Sequence, residues 1–247
     1  MRFKETKTTN YVLFFLLVII VWELLGLIIN NNIFPPIHII LMNVIKDFKS
    51  QIVIHAFFSL KRIIIGILLT LALGVPLGVA MGYFERADRL FSPLMYFSYP
   101  IPKIALLPIV MLILGLGEST KIVMILLITF FPVVVNTRDD VRNISSEIYY
   151  PMISLGASNL QIIKEIVLPG IIPTILTSIR IGIGTAISVL FFTENFGTEY
   201  GMGYFIMDSW MRVNYIQMYS GIIVLSLIGL TFFIVIDAME NLICKWK

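Results

Sequence analysis

Residues 63–84 read Ile63-Ile-Ile-Gly66-Ile-Leu-Leu-Thr-Leu-Ala-Leu-Gly74-Val-Pro76-Leu-Gly78-Val-Ala-Met-Gly82-Tyr-Phe84, a run without a single charge. A helix crosses a hydrocarbon core of about 30 Å with about 20 mostly apolar residues. The run does not alternate apolar and polar positions, as a strand of a membrane barrel must. Backbone groups in lipid have to be satisfied within their own segment, so the stretch is expected to be a transmembrane helix. Gly66, Gly74, Gly78 and Gly82 stand four or eight apart and share one helical face. Small residues at that spacing let a second helix approach closely in lipid. Pro76 is expected to bend the helix.

The rest of the chain has the same character. Of 247 residues, 58% are hydrophobic and only 13% charged, against about a quarter charged in soluble domains. Mean hydropathy is +0.95. A soluble fold of this composition would lack the polar surface to cover itself. Stretches long and apolar enough to span lie at 11–30, 60–84, 91–116, 119–137, 170–193 and 217–242. The expected fold is therefore all-α, a polytopic transmembrane helical bundle of about six spans. With the N-terminus inside, cytoplasmic segments carry Arg2, Lys4, Lys7, Arg86, Arg89, Arg138, Arg142, Lys164, Lys245 and Lys247. The outer segments carry Lys46, Lys49, Lys61, Arg62, Lys121 and Arg212. This bias predicts cytoplasmic N- and C-termini. Residues 1–58 read as an N-terminal anchor helix and an outer loop, in which Ile37 to Phe48 is an amphipathic piece suited to the membrane surface. Residues 59–242 read as the core, with a cytoplasmic loop at 138–168, and 243–247 as a cytoplasmic tail. The run from Tyr11 to Ile29 is long for a signal core and no small-residue cleavage site precedes Asn30, so a retained anchor is expected.

Several chemistries find no support. The one cysteine, Cys244, excludes an internal disulfide, and with only His38 and His55 beside it no metal site is expected. A net charge of +3 does not suggest nucleic acid. No Gly-rich phosphate loop of the Walker type is present, so the chain cannot hydrolyse ATP by that chemistry. No paired carboxylates or His cluster suggest a catalytic site. Asp139-Asp140 lacks the second acidic cluster that a metal-diphosphate site would need.

The loop 138–168 is too structured to be a mere connector. Arg138, Asp139, Asp140 and Arg142 open it and are expected to be solvated. Tyr149-Tyr150-Pro151-Met152-Ile153-Ser154-Leu155-Gly156-Ala157-Ser158 follows. Pro151 suits the first turn of a short helix, and Gly156 suits its C-terminal end. Ser158 and Gln161 are spaced as a capping box, which starts a second helix. That helix runs through Ile162, Ile163, Ile166 and Val167 to Leu168-Pro169 and into the fifth span. Short helix, glycine, second helix make a rigid element able to pass force from a cytoplasmic partner into the bilayer.

The spacing Gly156, nine residues, Ile166, one residue, Leu168-Pro169 resembles the cytoplasmic signature of ABC importer permeases. Gly156, Ala157, Ser158, Ile166, Leu168 and Pro169 match it. The EAA triplet of that signature is replaced here by Tyr150, Pro151 and Met152, with Glu147 one turn earlier as the nearest acidic residue. Further motifs are similar to one subgroup, the permeases for nitrate, sulfonates, taurine and bicarbonate. They are Ser59-Leu60-Lys61-Arg62 leading to Gly74-Val-Pro-Leu-Gly78; Pro100-Ile-Pro-Lys-Ile-Ala-Leu-Leu-Pro108; Gly115-Leu-Gly117-Glu118-Ser-Thr-Lys121; Phe131-Pro132 with Asn136-Thr137; and Glu194-Asn-Phe-Gly followed by Gly201-Met-Gly203-Tyr. The resemblance implies that Tyr150, Pro151, Met152, Gly156, Ala157, Ser158, Ile166, Leu168 and Pro169 couple the chain to an ATP-binding cassette ATPase. ATP and Mg would be bound on that partner and no cofactor on this chain. It also implies an external solute-binding protein, a second permease copy, a lipid environment in the cell membrane, and a small anionic solute of the sulfonate, taurine or nitrate kind. A thiamine-precursor or riboflavin-like cargo is a further reading of the same resemblance.

Ionisable groups inside spans are costly and usually face a cavity or a partner. Glu23 reads as a structural pair. Lys103 is flanked by Pro100, Pro102 and Pro108, and broken helices at membrane depth line cavities. Arg180 has the planar fork that suits an oxyanion. Glu194 lies at the outer end of the fifth span, about 20 Å along the helix from Arg180, too far to pair with it. Pro100, Pro102, Lys103, Arg180 and Glu194 are therefore the candidates for a translocation path. An ion-coupled secondary transporter is the alternative, but it predicts an internal repeat, and none is seen.

Overall fold

The computed structural model describes the backbone of residues 2–29 and 31–245, with side chains from residue 13 onward. The side chains of Arg2, Lys4, Lys7 and Lys247, counted above for orientation, lie outside the described residues.

Helix α1 (Arg2–Ile29) turns at Pro35-Pro36 into α2 (Ile37–Asp47). Trp22 Nε1 donates to the Pro35 carbonyl at 3.2 Å, and Glu23 meets His38 Nδ1 at 2.6 Å, so Glu23 is the structural pair expected of it. One π turn, Phe48–Ile52, joins α2 to α3 (Val53–Tyr83), and the whole forms a 47-residue helical rod. The segment 31–59, expected as an outer loop, is thus helical from residue 37. No Pro or Gly interrupts residues 37–65, so nothing stops the helix; its lysines had suggested a loop.

The stretch 91–116, expected as one span, is instead a broken element. Helix α4 (Glu85–Ser98) and the pair formed by a 3₁₀ turn (Lys103–Leu106) and α5 (Leu107–Leu114) meet at 85°. Pro100 and Pro102 lie at the break; neither has an N–H to continue the ladder, and each ring clashes with the preceding turn. Helix α6 (Glu118–Asn143) follows. It includes residues 138–143, expected as solvated loop, and Arg142 closes on Asp88 of α4 at 2.7 Å.

The glycine face of α3 is buried on α6. A Cβ at Gly66 would stand 2.5 Å from Ile125, at Gly74 3.2 Å from Val133, at Gly78 2.6 Å from Thr137 and at Gly82 2.5 Å from Val141. Each pair has the same sequence offset, so α3 and α6 run parallel along their length. The chain between Tyr83 and Glu118 must therefore return over about 24 helical residues, about 36 Å at 1.5 Å per residue. The bent pair α4/α5 makes that return crossing.

Next come α7 (Ser146–Ser154), α8 (Asn159–Ile162), a π turn (Ile163–Val167), α9 (Leu168–Thr193), α10 (Met202–Met211) and α11 (Tyr215–Ile243). Residues 159–193 form one 35-residue helix. Gly182 lies against Thr129 and Gly170 against Ile144, a descending register that makes α9 antiparallel to α6. Among the described residues four helices are long and apolar enough to span, and the bent pair makes five. The core is the α3/α6/α9 interlock, closed by Ile63, Ile67, Ile125, Ile183 and Leu190. Outward faces stay apolar; the most apolar window of α11 is only 17% buried.

Candidate functional site

At one end of the bundle the 144–168 segment forms the expected rigid element. Helix α7 ends in a Schellman motif: Ala157 N donates to the Met152 carbonyl at 3.0 Å and Gly156 N to that of Ile153 at 2.9 Å. Gly156 has φ +76°, the left-handed conformation that glycine adopts without strain. Ser158 N donates to Gln161 Oε1 at 2.8 Å and Gln161 N to Ser158 Oγ at 3.4 Å, closing the capping box. Pro151 is the one local departure. It lies in the sixth position of α7 rather than the first turn, because the helix begins at Ser146, soon after α6 ends. The π turn at 163–167 ends two residues before Pro169, where a wider turn accommodates a residue with no N–H to donate.

The base of this element is clamped. Val79 of α3, Val141 of α6, Val167 and Ile171 are buried together, with Tyr83, Ile144, Tyr149 and Ile163 packed around them. Tyr83 OH donates to Asn159 Oδ1 at 3.1 Å. Burial, and secondarily the neighbouring Tyr83, raises the Tyr149 phenol above its ordinary value, so it stays neutral. The tip is the opposite: Tyr150, Ile153, Leu155 and Leu160 are exposed, Leu155 at 84%. Four large apolar side chains on a rigid turn are the surface expected of a docking knob. Pro151, Gly156 and Ser158 share that exposed tip, Met152 and Ala157 are half-buried, and Ile166, Leu168 and Pro169 lie at the root, where the element joins α9.

At the other end the structure gathers charges that the sequence reading had scattered. Arg62, expected in an outer loop, is fully buried, and all five of its N–H donors are used. Nε and Nη2 grip the two oxygens of Glu118, Nε at 2.9 Å. Nη1 donates to Glu194 at 2.6 Å and to the Tyr200 carbonyl at 2.7 Å, and Nη2 reaches Thr198 Oγ1 at 3.3 Å. Glu194 also accepts from Ser59 Oγ at 2.8 Å and Gly203 N at 2.7 Å. Lys121, likewise expected outside, is buried and donates to the carbonyls of Leu116, Gly117 and Phe196 at 2.6, 3.3 and 3.1 Å. Three motifs far apart in the chain, Ser59–Arg62, Gly117–Lys121 and Glu194–Gly203, thus become one knot with two positive and two negative charges. Burial of such groups is tolerable only when they are paired and hydrogen-bonded.

Between the ends, α6, α9 and the 99–103 break line a cavity of about 300 Å³. Lys103 is one of its lining residues. Its ammonium donates to the carbonyls of Ser98, Tyr99 and Ile101 around the break and lies 4.5 Å over the Phe131 ring. Lys103 thus lines this cavity beside the proline break. Arg180 does not join it: its guanidinium turns to Asp237 and, at 3.1 Å, to Glu240 on α11. Glu194 belongs to the charged knot at the far end from the 144–168 segment. The five path candidates therefore occupy three places. Among the described residues no group of His, Cys, Asp and Glu side chains is arranged to hold a metal ion.

Comparison with known proteins agrees with this architecture. Residues 74–246 match the family described as the binding-protein-dependent transport system inner membrane component. The formylaminopyrimidine transport permease protein of Halalkalibacterium halodurans is 31% identical, covering 95% of this chain and 94% of its own. The putative aliphatic sulfonates transport permease protein of Bacillus subtilis is 28% identical, covering 93% and 84%. The fold is that of a chain of the inward-facing MetNI methionine ABC transporter, with a TM-score of 0.67 at 17% identity, covering 78% of this chain and 95% of that one.

Proposed function

This chain belongs to the family of binding-protein-dependent transport system inner membrane components, and on that premise we propose that it is the membrane-spanning permease subunit of an ATP-driven importer, worked by a separate ATPase through residues 146–168. It is a multi-pass protein of the inner membrane. The observation that carries the coupling role is the exposed apolar tip of Tyr150, Ile153, Leu155 and Leu160 on a base packed into α3, α6 and α9. A push on such a tip moves three spans at once, which is what a two-state body biased by a motor requires.

In this reading both termini and the tip are cytoplasmic, α1 is a sixth span, and ATP and Mg bind on the partner ATPase. An external solute-binding protein delivers the solute, and a second copy of the permease completes the path. Pro100 and Pro102 bend the element that brings Lys103 to the path, Arg180 braces its inner end, and Glu194 holds its outer frame. The solute is a small sulfonate, taurine or similar anion, supported by the sulfonate relative and by the single cation on the cavity. The formylaminopyrimidine relative, which spans nearly the whole chain, supports a second reading, a thiamine-precursor heterocycle.

Tagged chain purified from native membranes is expected to bring down an ATPase, and Tyr150→Asp with Leu155→Asp to reduce its recovery at least tenfold while the chain stays folded. Solute uptake that persists with no ATPase present would instead favour an ion-coupled carrier. Uptake of labelled taurine, an alkanesulfonate and a formylaminopyrimidine, each competed by the others, separates the two cargo readings.

A further inference from the structure

A second cavity, about 350 Å³, lies on the cytoplasmic side of the Lys103 chamber and is lined by Asp139, Asp140, Asn143, Thr174 and Thr177. The two cavities share two lining residues, Asn136 of α6 and Ser178 of α9. These two are hydrogen-bonded: Asn136 Nδ2 donates to Ser178 Oγ at 3.0 Å. On the proposed transport reading, we infer that the Asn136–Ser178 bridge is the inner constriction of the solute path, dividing a transit chamber for a small anion or zwitterion from an acidic cytoplasmic vestibule.

Three observations support this. At about 300 Å³ the chamber lies at the small end of the range of ligand cavities, which suits a small solute. Its one lining charge is the Lys103 ammonium, whose N–H groups already serve the carbonyls of Ser98, Tyr99 and Ile101. An anion there feels an attractive field without gaining a direct ammonium hydrogen bond, so it is drawn in and not held. Below the bridge the sign reverses: Asp139 and Asp140 line the vestibule, with Arg138 paired to Asp139 at 2.7 Å. Cytosolic anions are repelled from the vestibule, which opposes return. The bridge itself is one neutral hydrogen bond, weak enough to exchange with a passing solute's own polar groups. It also ties α6 to α9, two of the helices gripped by the 146–168 element, so a shift of that element alters the span of the bridge.

The test uses the full chain with its ATPase in inverted membrane vesicles, in a Cys244→Ser background. Thr177→Cys reports on the vestibule and Thr185→Cys on the chamber, read with a membrane-impermeant thiol reagent. Thr177→Cys is expected to label quickly in every background. Thr185→Cys is expected to label at least fivefold faster when Asn136→Ala opens the bridge and at least tenfold slower when Asn136→Phe plugs it. Equal labelling of Thr185→Cys in all three backgrounds would overturn the constriction. Labelling needs neither solute nor ATP, so it judges the constriction even if no ATPase co-purifies, an outcome that would count against the transport reading instead.

Discussion

Arg62 is the residue on which one end of the bundle turns. A buried guanidinium that binds two carboxylates, a hydroxyl and a backbone carbonyl ties α3 to the start of α6, the end of α9 and the 198–200 loop. Removing it leaves the buried Glu194 carboxylate without its cation, and breaking a buried ion pair in this way costs about 3–5 kcal/mol. Arg62→Met is therefore expected to lower the thermal midpoint of the detergent-purified chain sharply. Arg62→Lys, with three donors and no planar fork, is expected to recover only part of the loss. Lys103 differs, because it serves a broken helix and a cavity at once. Lys103→Met is expected to leave ATPase recovery intact while lowering uptake of an anionic solute at least tenfold, as measured in vesicles.

At the scale of elements the α3–α6 contact decides the fold. A Cβ at Gly78 would meet Thr137 Cβ at 2.6 Å and the Val134 carbonyl at 2.7 Å, and a backbone atom cannot swing away. Gly78→Ala is expected to cost about 1–3 kcal/mol by overpacking, whereas Gly184→Ala, with nothing within 4 Å, is expected to leave the thermal midpoint unchanged. This contact was legible in the sequence because the glycines share a helical face, and so were the capping box at Ser158 and the turn at Gly156, whose signals lie within a few residues. The break at Pro100 and Pro102 was legible as a disturbance; its 85° bend was not, since the angle depends on what α4 and α5 pack against. The knot was not legible as a site. Arg62 lies 56 residues from Glu118 and 132 from Glu194, and charge counting placed Arg62 and Lys121 in solvent because one sequence carries no burial. Lys46 and Lys49, counted in the same way, hid the helix across 37–59.

For the whole molecule, the knot fixes one end of α3, α6 and α9 while the 146–168 element grips the other. On the proposed coupling role, force applied at the tip of a bundle tied at its far end is passed to whatever lies between the ends, the Lys103 chamber included. The large apolar faces left on α1, α4, α5 and α11 are consistent with lipid and with a second copy. The central claim is that the exposed tip is seated on a nucleotide-hydrolysing partner. A photo-activatable residue placed at Leu155 in native membranes, with Val213 beyond the knot as the control position, tests it most directly. Leu155 is predicted to form an adduct with an ATPase subunit and Val213 none. An intact, membrane-inserted chain whose Leu155 position reacts with no such protein would contradict the account.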